Sequence, residues 1–384
     1  MIMKNVFIAA ALIAAAFVSC GPKYVEPTST PGSKIAYSMS FIRSVAANVD
    51  KNENIVISPY SAGVALSMLA EGAEGQTKEE FNKALNDCIF KAENLGGNDT
   101  VIVNSVNSLW VDDDFSIRNR YLFLLQKDFD ALATALSFSD PSTVKAINDW
   151  CSEHTNGKIK DVIDRLGPGD VMVLANALYF NAPWLNPFDE NLTSKAELNG
   201  SKGRTKVDMM SRKGYMNYAE FQGCQLVELP YEGGRYSMYV LLPAEGMDIN
   251  DAVGYLSEDI YNEAMQALAP KEVLLRMPKT KVETSLLLNE TLQSMGIKSA
   301  FTSQANFKGI AEMGPLVLDQ VKQKAYVEIS EKGTEAAAVT IAQIRLTSAR
   351  PSSYVTMNVN RPYVFLIVDT QNSNIMFAGR VMNL

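Results

Sequence analysis

The chain has 384 residues, of which 47% are hydrophobic and 20% are charged. This is the composition of a folded protein long enough to bury a large core, and it excludes disorder over most of the chain. The formal net charge of −8 argues against nucleic acids and heparin-like polyanions as partners, because both require clustered Lys and Arg.

Residues 1–19 have the pattern of an export signal peptide. Lys4 supplies a positive start, an apolar run covers Val6–Val18, and the cleavage region ends at Cys20. The run is too short to span a bilayer. A Cys at the end of such a segment resembles the bacterial lipobox, in which Cys20 receives the lipid, although Phe17 stands where Leu is usual. An ordinary signal peptide with an incidental Cys20 is the alternative.

Residues 20–33 are predicted to form a lipid-anchored tether. They are rich in Pro, Ser, Thr and Gly, which cannot pack a core and suit a flexible linker. One folded domain is expected over residues 34–384, because no internal repeat or linker interrupts this range. The sequence thus predicts an exported bacterial lipoprotein, anchored in a membrane and facing the periplasm or the cell surface.

Helical periodicity dominates the first part of the folded region and strand patterns the later part. The predicted helices are Lys34–Val49, Ser58–Gly72, Thr77–Leu85, Ala146–Val162 and Leu286–Met295. The predicted strands are Val101–Val111, Val171–Phe180, Gln225–Pro230, Tyr236–Leu242, Val273–Pro278 and Val364–Val368. Mixed elements without regular βαβ alternation predict an α+β fold with large antiparallel or mixed sheets.

Residues that carry nucleophilic or metal chemistry are scarce. His154 is the one histidine, and no GxSxG elbow presents a serine, so a hydrolase is poorly supported. After Cys20, the spacing of Cys88, Cys151 and Cys224 fits neither a disulfide framework nor a metal site, and we interpret them as small buried side chains. No P-loop or dinucleotide fingerprint is present. We expect no catalytic residues, no metal and no cofactor, and therefore not an enzyme.

Five segments in order along the folded region together resemble the serpin family. They are NIVISPYSAGVALSMLAEGAEGQT (54–77), ANALYFNAPWLNPF (175–188), MPKTKVETSLLLNETLQSMGIKSAF (277–301), YVEISEKGTEAAAVT (326–340) and NRPYVFLIVDTQNSNIMFAGRVMNL (360–384). The resemblance implies the serpin fold, with several helices around a large central mixed sheet, two smaller sheets, and an exposed reactive loop at about residues 333–357.

The start of that loop can also be interpreted from its residues. Gly333 can take dihedral angles closed to other residues. From Thr334 the side chains alternate, and one face has only small uncharged members: Thr334, Ala336, Ala338, Thr340 and Ala342. Such a face can be buried between two strands without overpacking or stranding a charge. The resemblance identifies Glu331, Gly333, Thr334, Ala336, Ala338 and Thr340 as the hinge of an inhibitory, metastable serpin.

The resemblance also implies two groups of residues that control sheet opening. Lys279 and Glu331 are similar to an ion pair at the top of the sheet, and Trp184 packs in the same region. Ser58, Ser61 and Asn176 match a polar cluster under the centre of the sheet. Gln323 replaces the usual His of that cluster, so any pH sensitivity linked to that His should be absent.

The position of the cleaved bond is left open between several residues. A count from Glu331 gives the bond after Thr347 and before Ser348, whereas a count back from residues 360–363 ends near Arg350. Cleavage after Arg350 would precede Pro351, which trypsin-like proteases cleave poorly. Arg345 is the better basic alternative. Thr347 suits elastase-like pockets, and Arg345 suits trypsin-like ones.

The sequence therefore predicts a suicide inhibitor that traps an acyl-enzyme by inserting its cleaved loop into the central sheet. The expected partners are serine or cysteine endopeptidases of elastase-like or trypsin-like specificity, no nucleic acid, and a membrane through the lipid anchor, with the protein itself a monomer. The alternatives are a non-inhibitory serpin with a binding or chaperone-like role, a lipid-anchored hydrolase, and a glycan-binding lipoprotein. The small residues of the hinge argue against the first, the single His against the second, and the five segments against the third.

Overall fold

The computed structural model describes residues 32–96, 100–155, 157–167, 169–311, 316–334 and 353–384. Within these ranges the α-helices are α1 (Lys34–Asn48), α2 (Pro59–Gly72), α3 (Gly75–Ala84), α4 (Asn119–Phe129), α5 (Ser142–His154), α6 (Ile249–Gly254), α7 (Glu258–Ala267) and α8 (Asn289–Ser294). Two short 3₁₀ helices lie at Glu190–Leu192 and Ser299–Phe301. None of the helices in the described part of the chain has both the length and the hydrophobicity to cross a bilayer.

The strands of the first half are β1 (Ile55–Ile57), β2 (Ile102–Asp112), β3 (Leu132–Leu136), β4 (Met172–Pro183), β5 (Ser194–Gly200) and β6 (Gly203–Phe221). The later strands are β7 (Cys224–Pro230), β8 (Tyr236–Pro243), β9 (Ala269–Pro278), β10 (Thr280–Leu287), β11 (Gln320–Ile329), β12 (Gly333–Thr334), β13 (Val355–Asn358), β14 (Tyr363–Asp369) and β15 (Asn374–Val381).

The α+β prediction is confirmed, and two predicted helices have wrong bounds. The helix predicted over Ala146–Val162 is α5, which ends at His154, because the chain turns there and Gly157 adopts a left-handed φ of 72°. The helix predicted over Leu286–Met295 begins only at Asn289, since β10 pairs with β11 as far as Leu287. The three N-terminal helices are confirmed to within two residues at either end.

One sheet has six strands in the order β10-β11-β12-β4-β2-β3. It is mixed: β2 is antiparallel to β4 and parallel to β3, while β4 and β11 are parallel. Its inner face packs on α2, which is buried along almost its whole length. The sheet and this helix share one large hydrophobic core with α1 and with strands β8, β14 and β15.

A second set of nine strands runs in the order β1-β15-β14-β8-β7-β6-β9-β13, with β5 paired to β6. The 19-residue strand β6 joins what the sequence predicts as two smaller sheets. Its first part pairs with β5, its middle with β9 and its end with β7. The two smaller sheets are therefore continuous through β6.

Candidate functional site

The candidate site is the seam between β4 and β11 in the six-stranded sheet. The two strands pair directly, in parallel, from Gln320–Val173 to Ala325–Leu178. Above that point they separate, and the two-residue strand β12 lies between them. Thr334 is opposite Ile329 of β11 and Ala182 of β4, antiparallel to both. The seam is thus closed in its lower part and held apart at its top by the start of the predicted hinge.

Gly333 and Thr334 fit tightly in this position. A Cβ on Gly333 would lie 2.7 Å from Pro183 Cα and would clash with the Ala182 carbonyl oxygen, so only glycine fits there. Thr334 is 1% exposed, and its hydroxyl lies 2.5 Å from the Tyr231 hydroxyl. Burial raises the pKa of Tyr231 well above its usual value, so this hydroxyl stays protonated and available as a donor.

The ion pair expected at the top of the sheet is present. Lys279 Nζ lies 3.0 Å from Glu331 Oε2, and Thr193 donates to Glu331 Oε1 at 2.8 Å. The Glu331 side chain is 8% exposed. Burial raises its pKa, but hydrogen bonds from its own backbone N–H, Lys279 and Thr193, with the charge of Lys279, outweigh burial and leave the pKa below its usual value.

Trp184 connects this corner to the turn before β12. Its indole N–H donates to the Ser330 carbonyl at 2.9 Å, and its backbone N–H donates to the Lys332 carbonyl at 2.9 Å. The ring stacks on Tyr231 with centroids 4.4 Å apart. Trp184 therefore fixes residues 330–332, from which the hinge starts.

The polar cluster under the seam contains every residue expected there. Gln323 Nε2 donates to the Asn176 side-chain oxygen at 3.1 Å and to the Ser58 carbonyl at 3.0 Å, while its Oε1 accepts from the Ser58 backbone N–H at 2.9 Å. Asn176 donates to the Ser61 carbonyl at 2.9 Å. These bonds tie β11 and β4 to the start of α2, so Gln323 uses both its donor and its acceptor across the seam.

Sequence reasoning missed three residues of the site. Asn107 of β2 accepts from Asn176 at 2.5 Å and extends the polar cluster to a third strand. Tyr231 and Thr193 contact Thr334 and Glu331 as described above. No local pattern indicated Asn107, because the sequence of β2, IVNSVNSLWVD, has no regular apolar alternation. The other two come from distant loops, whose proximity only the fold reveals.

A lid made of α5 and residues 157–167 crosses the outer face of the seam. Ile159 and Ile163 pack with Val173 and Ala175 of β4 in a separate buried cluster. Two lysines of β11 bind the lid through a hydrogen bond and an ion pair. Lys324 donates to the Lys160 carbonyl at 2.7 Å, and Lys322 pairs with Asp164 at 2.7 Å. An extra strand could enter the lower seam only if this lid moved.

Several predicted residues lie outside the described part of the chain. They are the hinge residues Ala336, Ala338 and Thr340, the candidates for the cleaved bond Arg345, Thr347, Ser348 and Arg350, and the lipidation candidate Cys20. Their assignments stay predictions.

The three described cysteines and His154 lie away from the polar contacts of the seam. Cys88, Cys151 and Cys224 are buried and unpaired by disulfides, as expected. His154 is exposed at the end of α5, stacked on Trp150 with ring centroids 4.4 Å apart. Burial raises the pKa of Cys88 to about 11 and that of Cys151 to about 12, so both stay as unreactive thiols near neutral pH.

Comparison with known proteins gives one consistent result. The family model described as Serpin (serine protease inhibitor) matches residues 33–384. The chain is 31% identical to an uncharacterised serpin-like protein of Thermococcus kodakarensis, covering 91% of this chain and 84% of the relative. It is also 31% identical to Iripin-5 of Ixodes ricinus, covering 91% and 93%. The native-state crystal structure of the thermophilic serpin tengpin matches with a TM-score of 0.84 and 28% identity over 94% of this chain and 96% of that one.

Proposed function

The chain belongs to the serpin family, whose members generally inhibit serine proteases, and we propose that it is itself an inhibitor that traps its target by inserting a cleaved loop into the β4–β11 seam. The observation that carries the proposal is the register of β12. This strand already lies antiparallel to both neighbours, with its chain direction set to continue down the seam.

Continuing that register gives the extent of insertion. If Thr334 keeps its place opposite Ala182 and Ile329, residue 335 comes opposite Asn181 and Glu328, and residue 343 opposite Val173 and Gln320. The last pair is also where the direct pairing of β4 and β11 begins. Residues 334–343 therefore match the full length of the seam.

The same register decides which side chains would be buried. Thr334 points inward to Tyr231, so the residues that alternate with it would also point inward. These are Ala336, Ala338, Thr340 and Ala342, which are small and uncharged. Thr340, the only polar one of the four, would come between Asn176 and Gln323, where its hydroxyl has amide partners. The sequence of the loop thus complements the seam position by position.

Insertion would also improve the pairing of the sheet. The direct contact between β4 and β11 is parallel, and parallel pairs are slightly less stable per residue than antiparallel ones. An inserted strand would replace one parallel ladder by two antiparallel ladders. This gain is the driving force we assign to trapping the acyl-enzyme after cleavage near residues 345–351.

Mixing the protein with pancreatic elastase and with trypsin tests the proposal. We expect an SDS-resistant complex with at least one of them, since an acyl-enzyme that cannot deacylate is covalent. Mass spectrometry of the released C-terminal fragment then decides between Thr347–Ser348, Arg345 and Arg350. Rapid cleavage without complex formation would reject inhibition of these proteases and favour a non-inhibitory role.

We also propose that the protein is exported and lipid-anchored through Cys20, because its N-terminal segment has the features of a lipoprotein signal. The test is Cys20→Ser expressed in a bacterial host. We expect the wild-type protein in the membrane fraction and the variant in the soluble exported fraction, with unchanged thermal unfolding. A single acyl chain binds only marginally, so firm attachment of the wild type would indicate several chains. A variant that still sediments with membranes would reject Cys20 as the anchor.

A further inference from the structure

The lower end of the seam is closed by two carboxylates, one from each side. Asp319, which precedes β11, accepts from the backbone N–H groups of Val171 and Met172 at the start of β4, with its Oδ2 2.7 Å and 3.4 Å from the two nitrogens. Asp170, which comes shortly before β4, accepts from the side chain of Gln320, the first residue of β11, at 3.2 Å. The two contacts cross the seam in opposite directions, and we define the clasp as Asp170, Asp319 and Gln320.

The β11 half of the clasp is anchored to α8. Asn289, the first residue of α8, donates from Nδ2 to the Asp319 carbonyl at 2.7 Å and accepts at Oδ1 from the Val321 backbone N–H at 3.0 Å. Leu288 donates from its backbone N–H to the Val321 carbonyl at 2.8 Å. These bonds fix the backbone on both sides of Gln320, so the start of β11 is held to the helix that follows β10.

The β4 half of the clasp is anchored to β2 and to the end of the lid. The Asp112 backbone N–H donates to the Val171 carbonyl at 3.0 Å. Asp170 accepts from the Gly167 backbone N–H at 2.8 Å through the same Oδ2 that receives Gln320. The clasp therefore joins two separately anchored parts of the six-stranded sheet, with β10, β11 and α8 on one side and β2, β4 and the end of the lid on the other.

Insertion of the loop in the register proposed above would open the clasp. Residue 343 comes opposite Val173 of β4 and Gln320 of β11 in that register. Adjacent strands lie about 4.8 Å apart, so a strand inserted there roughly doubles the separation of β4 from β11. The contacts from Asp319 and Gln320 cannot span the added distance. A strand that ends at residue 340 leaves three directly paired positions between itself and the clasp.

Two opposing effects set the strength of the clasp. Hydrogen bonds to an ionised carboxylate are roughly twice as strong as those between neutral groups, and here they hold two strands together. Burial, together with the nearby charge of Asp170, raises the pKa of Asp319 even though the two N–H groups lower it. Opening the clasp would hydrate the Asp319 carboxylate and recover part of the lost interaction. The result is a contact of moderate strength, which can open during trapping.

We propose that the clasp is a stop at the lower end of the seam, and that its opening limits the last step of loop insertion. The proposal rests on the inhibitory function proposed above and adds a regulation of that same site. A loop inserted as far as residue 340 leaves the strands joined below it, whereas a loop inserted to residue 343 does not. Asp319 and Gln320 act on trapping through the separation of β4 from β11, so they are positioning residues.

Two peptides of different length test the stop without a protease. The long peptide has the sequence of residues 335–343, EAAAVTIAQ, and reaches the clasp in the proposed register. The short peptide has the sequence of residues 335–340, EAAAVT, and ends three paired positions above the clasp. Each peptide carries fluorescein at its N-terminus, and fluorescence anisotropy measures the rate constant of its association with the intact protein.

Two variants open the clasp, and a third is the matched control. Asp319→Ala removes the contacts with both N–H groups of β4, and Gln320→Ala removes only the contact with Asp170. Gln320→Ala keeps the test in place if Asp319→Ala does not fold. Asp248→Ala also removes a carboxylate that accepts two N–H donors, both from Asn250 at the start of α6.

We expect Asp319→Ala to bind the long peptide about tenfold faster than wild type, and Gln320→Ala about threefold faster. Asp248→Ala should stay within twofold of wild type. The behaviour of the short peptide, whether it binds or not, should be the same for all four proteins. Equal acceleration of both peptides would indicate general loosening of the sheet and overturn the stop. An unchanged rate for the long peptide, or no binding of it by any protein, would also overturn it.

Trapping of elastase and trypsin, measured in parallel, keeps the two proposals apart. An SDS-resistant complex of the wild type, combined with an unchanged rate of the long peptide in Asp319→Ala, overturns the stop and leaves the inhibitory function standing. Faster binding of the long peptide by Asp319→Ala alone, without a complex of the wild type, supports the stop and rejects inhibition of these proteases.

Discussion

The ion pair between Lys279 and Glu331 differs from the other ion pair beside it. Glu331 is nearly buried and accepts from Thr193 as well, whereas Glu190, which lies 3.3 Å from Lys332, is 63% exposed. Exposed pairs contribute little to stability, because water and salt screen them and both side chains lose rotamer freedom. Both pairs involve residues from which the hinge starts, and the nearly buried Glu331 pair should oppose their separation more strongly than the exposed Glu190 pair.

Glu331→Gln should therefore lower stability in a pH-dependent way. Because the folded-state pKa of Glu331 is below its usual value of about 4.3, its carboxylate stabilises the native state above that pH, and this stabilisation is lost as pH falls through the folded pKa. Losing hydrogen bonds to a charged group costs about 1.5–3 kcal/mol, which lowers the melting temperature at pH 7 by a few degrees. At pH 3 the difference from wild type should be smaller than at pH 7, because this stabilisation is lost progressively as the pH falls toward the folded pKa.

Differential scanning calorimetry at both pH values provides the check, with Glu190→Gln as the control. That variant should unfold within about 0.5 kcal/mol of wild type at pH 7. A melting difference of Glu331→Gln that is the same at pH 3 and pH 7 would contradict the assignment of the carboxylate.

Thr334→Arg should convert the protein from inhibitor to substrate. Thr334 is already buried against Tyr231, so a guanidinium there must either be desolvated without a partner or push β12 out of the seam. In either case insertion is delayed, and the acyl-enzyme is hydrolysed before it can be trapped. We expect cleavage at the wild-type rate with no SDS-resistant complex. Thr334→Val, which keeps the shape, should retain complex formation, and trapping by the arginine variant would contradict the seam as the insertion site.

The polar cluster shows how far single residues could be predicted. Ser58, Ser61, Asn176 and Gln323 were predicted from the family resemblance, and the structure brings them into contact. The resemblance did not indicate that Gln323 would bond to both a backbone and a side-chain group, because that depends on the separation of β11 from α2. Asn107 was missed, since its role comes from strand pairing between residues far apart in sequence.

Among the elements, the lid of α5 and residues 157–167 lies where an inserted strand must pass. Its apolar contacts with β4 are supplemented by Lys322 and Lys324, whose side chains are only 14% exposed. The lysines reach the lid from β11, and the apolar contacts of Ile159 and Ile163 are with β4. The lid therefore bridges the two strands that insertion separates, and its contacts oppose that separation.

Lys324→Met should loosen the lid while the sheet stays folded. The variant keeps the apolar part of the side chain but loses the hydrogen bond to the Lys160 carbonyl and the ion pair with Glu283. Hydrogen exchange of backbone amides in residues 157–167 should become faster, and the stoichiometry of inhibition should fall toward one as insertion speeds up. Lys145→Met, at a 77% exposed position on α5, should change neither. Unchanged exchange in the Lys324 variant would show that the lysine does not hold the lid.

The predicted elements failed where tertiary pairing overrides local pattern. Strand β6 was missed, because its exposed Lys213 and Tyr215 and its Gly214 hide the alternation that pairing with β9 imposes. The end of α5 was placed too late, because Ile159 and Val162 have helical spacing but pack on the sheet from an irregular segment. Apolar helices such as α2, which are surrounded by core, were predicted well.

At the scale of the whole molecule, the six-stranded sheet is incompletely paired at the seam within the part of the chain that the structure describes. The seam has six directly paired positions in its lower part and two residues of β12 at its top. Among the described residues, none pairs across the seam with residues 179–181 of β4 or 326–328 of β11. A chain segment of matching length and side-chain size follows β12 directly. If the loop inserts as proposed, the same sequence has a more fully paired arrangement available after cleavage.

Cleavage of the loop by a protease that escapes trapping should therefore raise thermal stability. In most proteins a nick frees chain ends and increases the entropy of the unfolded state, so stability stays the same or falls. Here residues 335–343 can pair with β4 on one side and β11 on the other, and each new ladder hydrogen bond contributes about 0.5–1.5 kcal/mol net. Added burial of Ala336, Ala338 and Ala342 helps to offset the ordering cost of about 1–2 kcal/mol per residue.

We expect the melting temperature of the nicked protein to exceed that of the intact protein by about 10 °C or more in the same buffer. The nick is first located between Arg345 and Arg350 by mass spectrometry, and Thr334→Arg nicked in the same way is the control, which should show no increase. An unchanged or lower melting temperature of the nicked wild type would mean that the loop does not enter the seam.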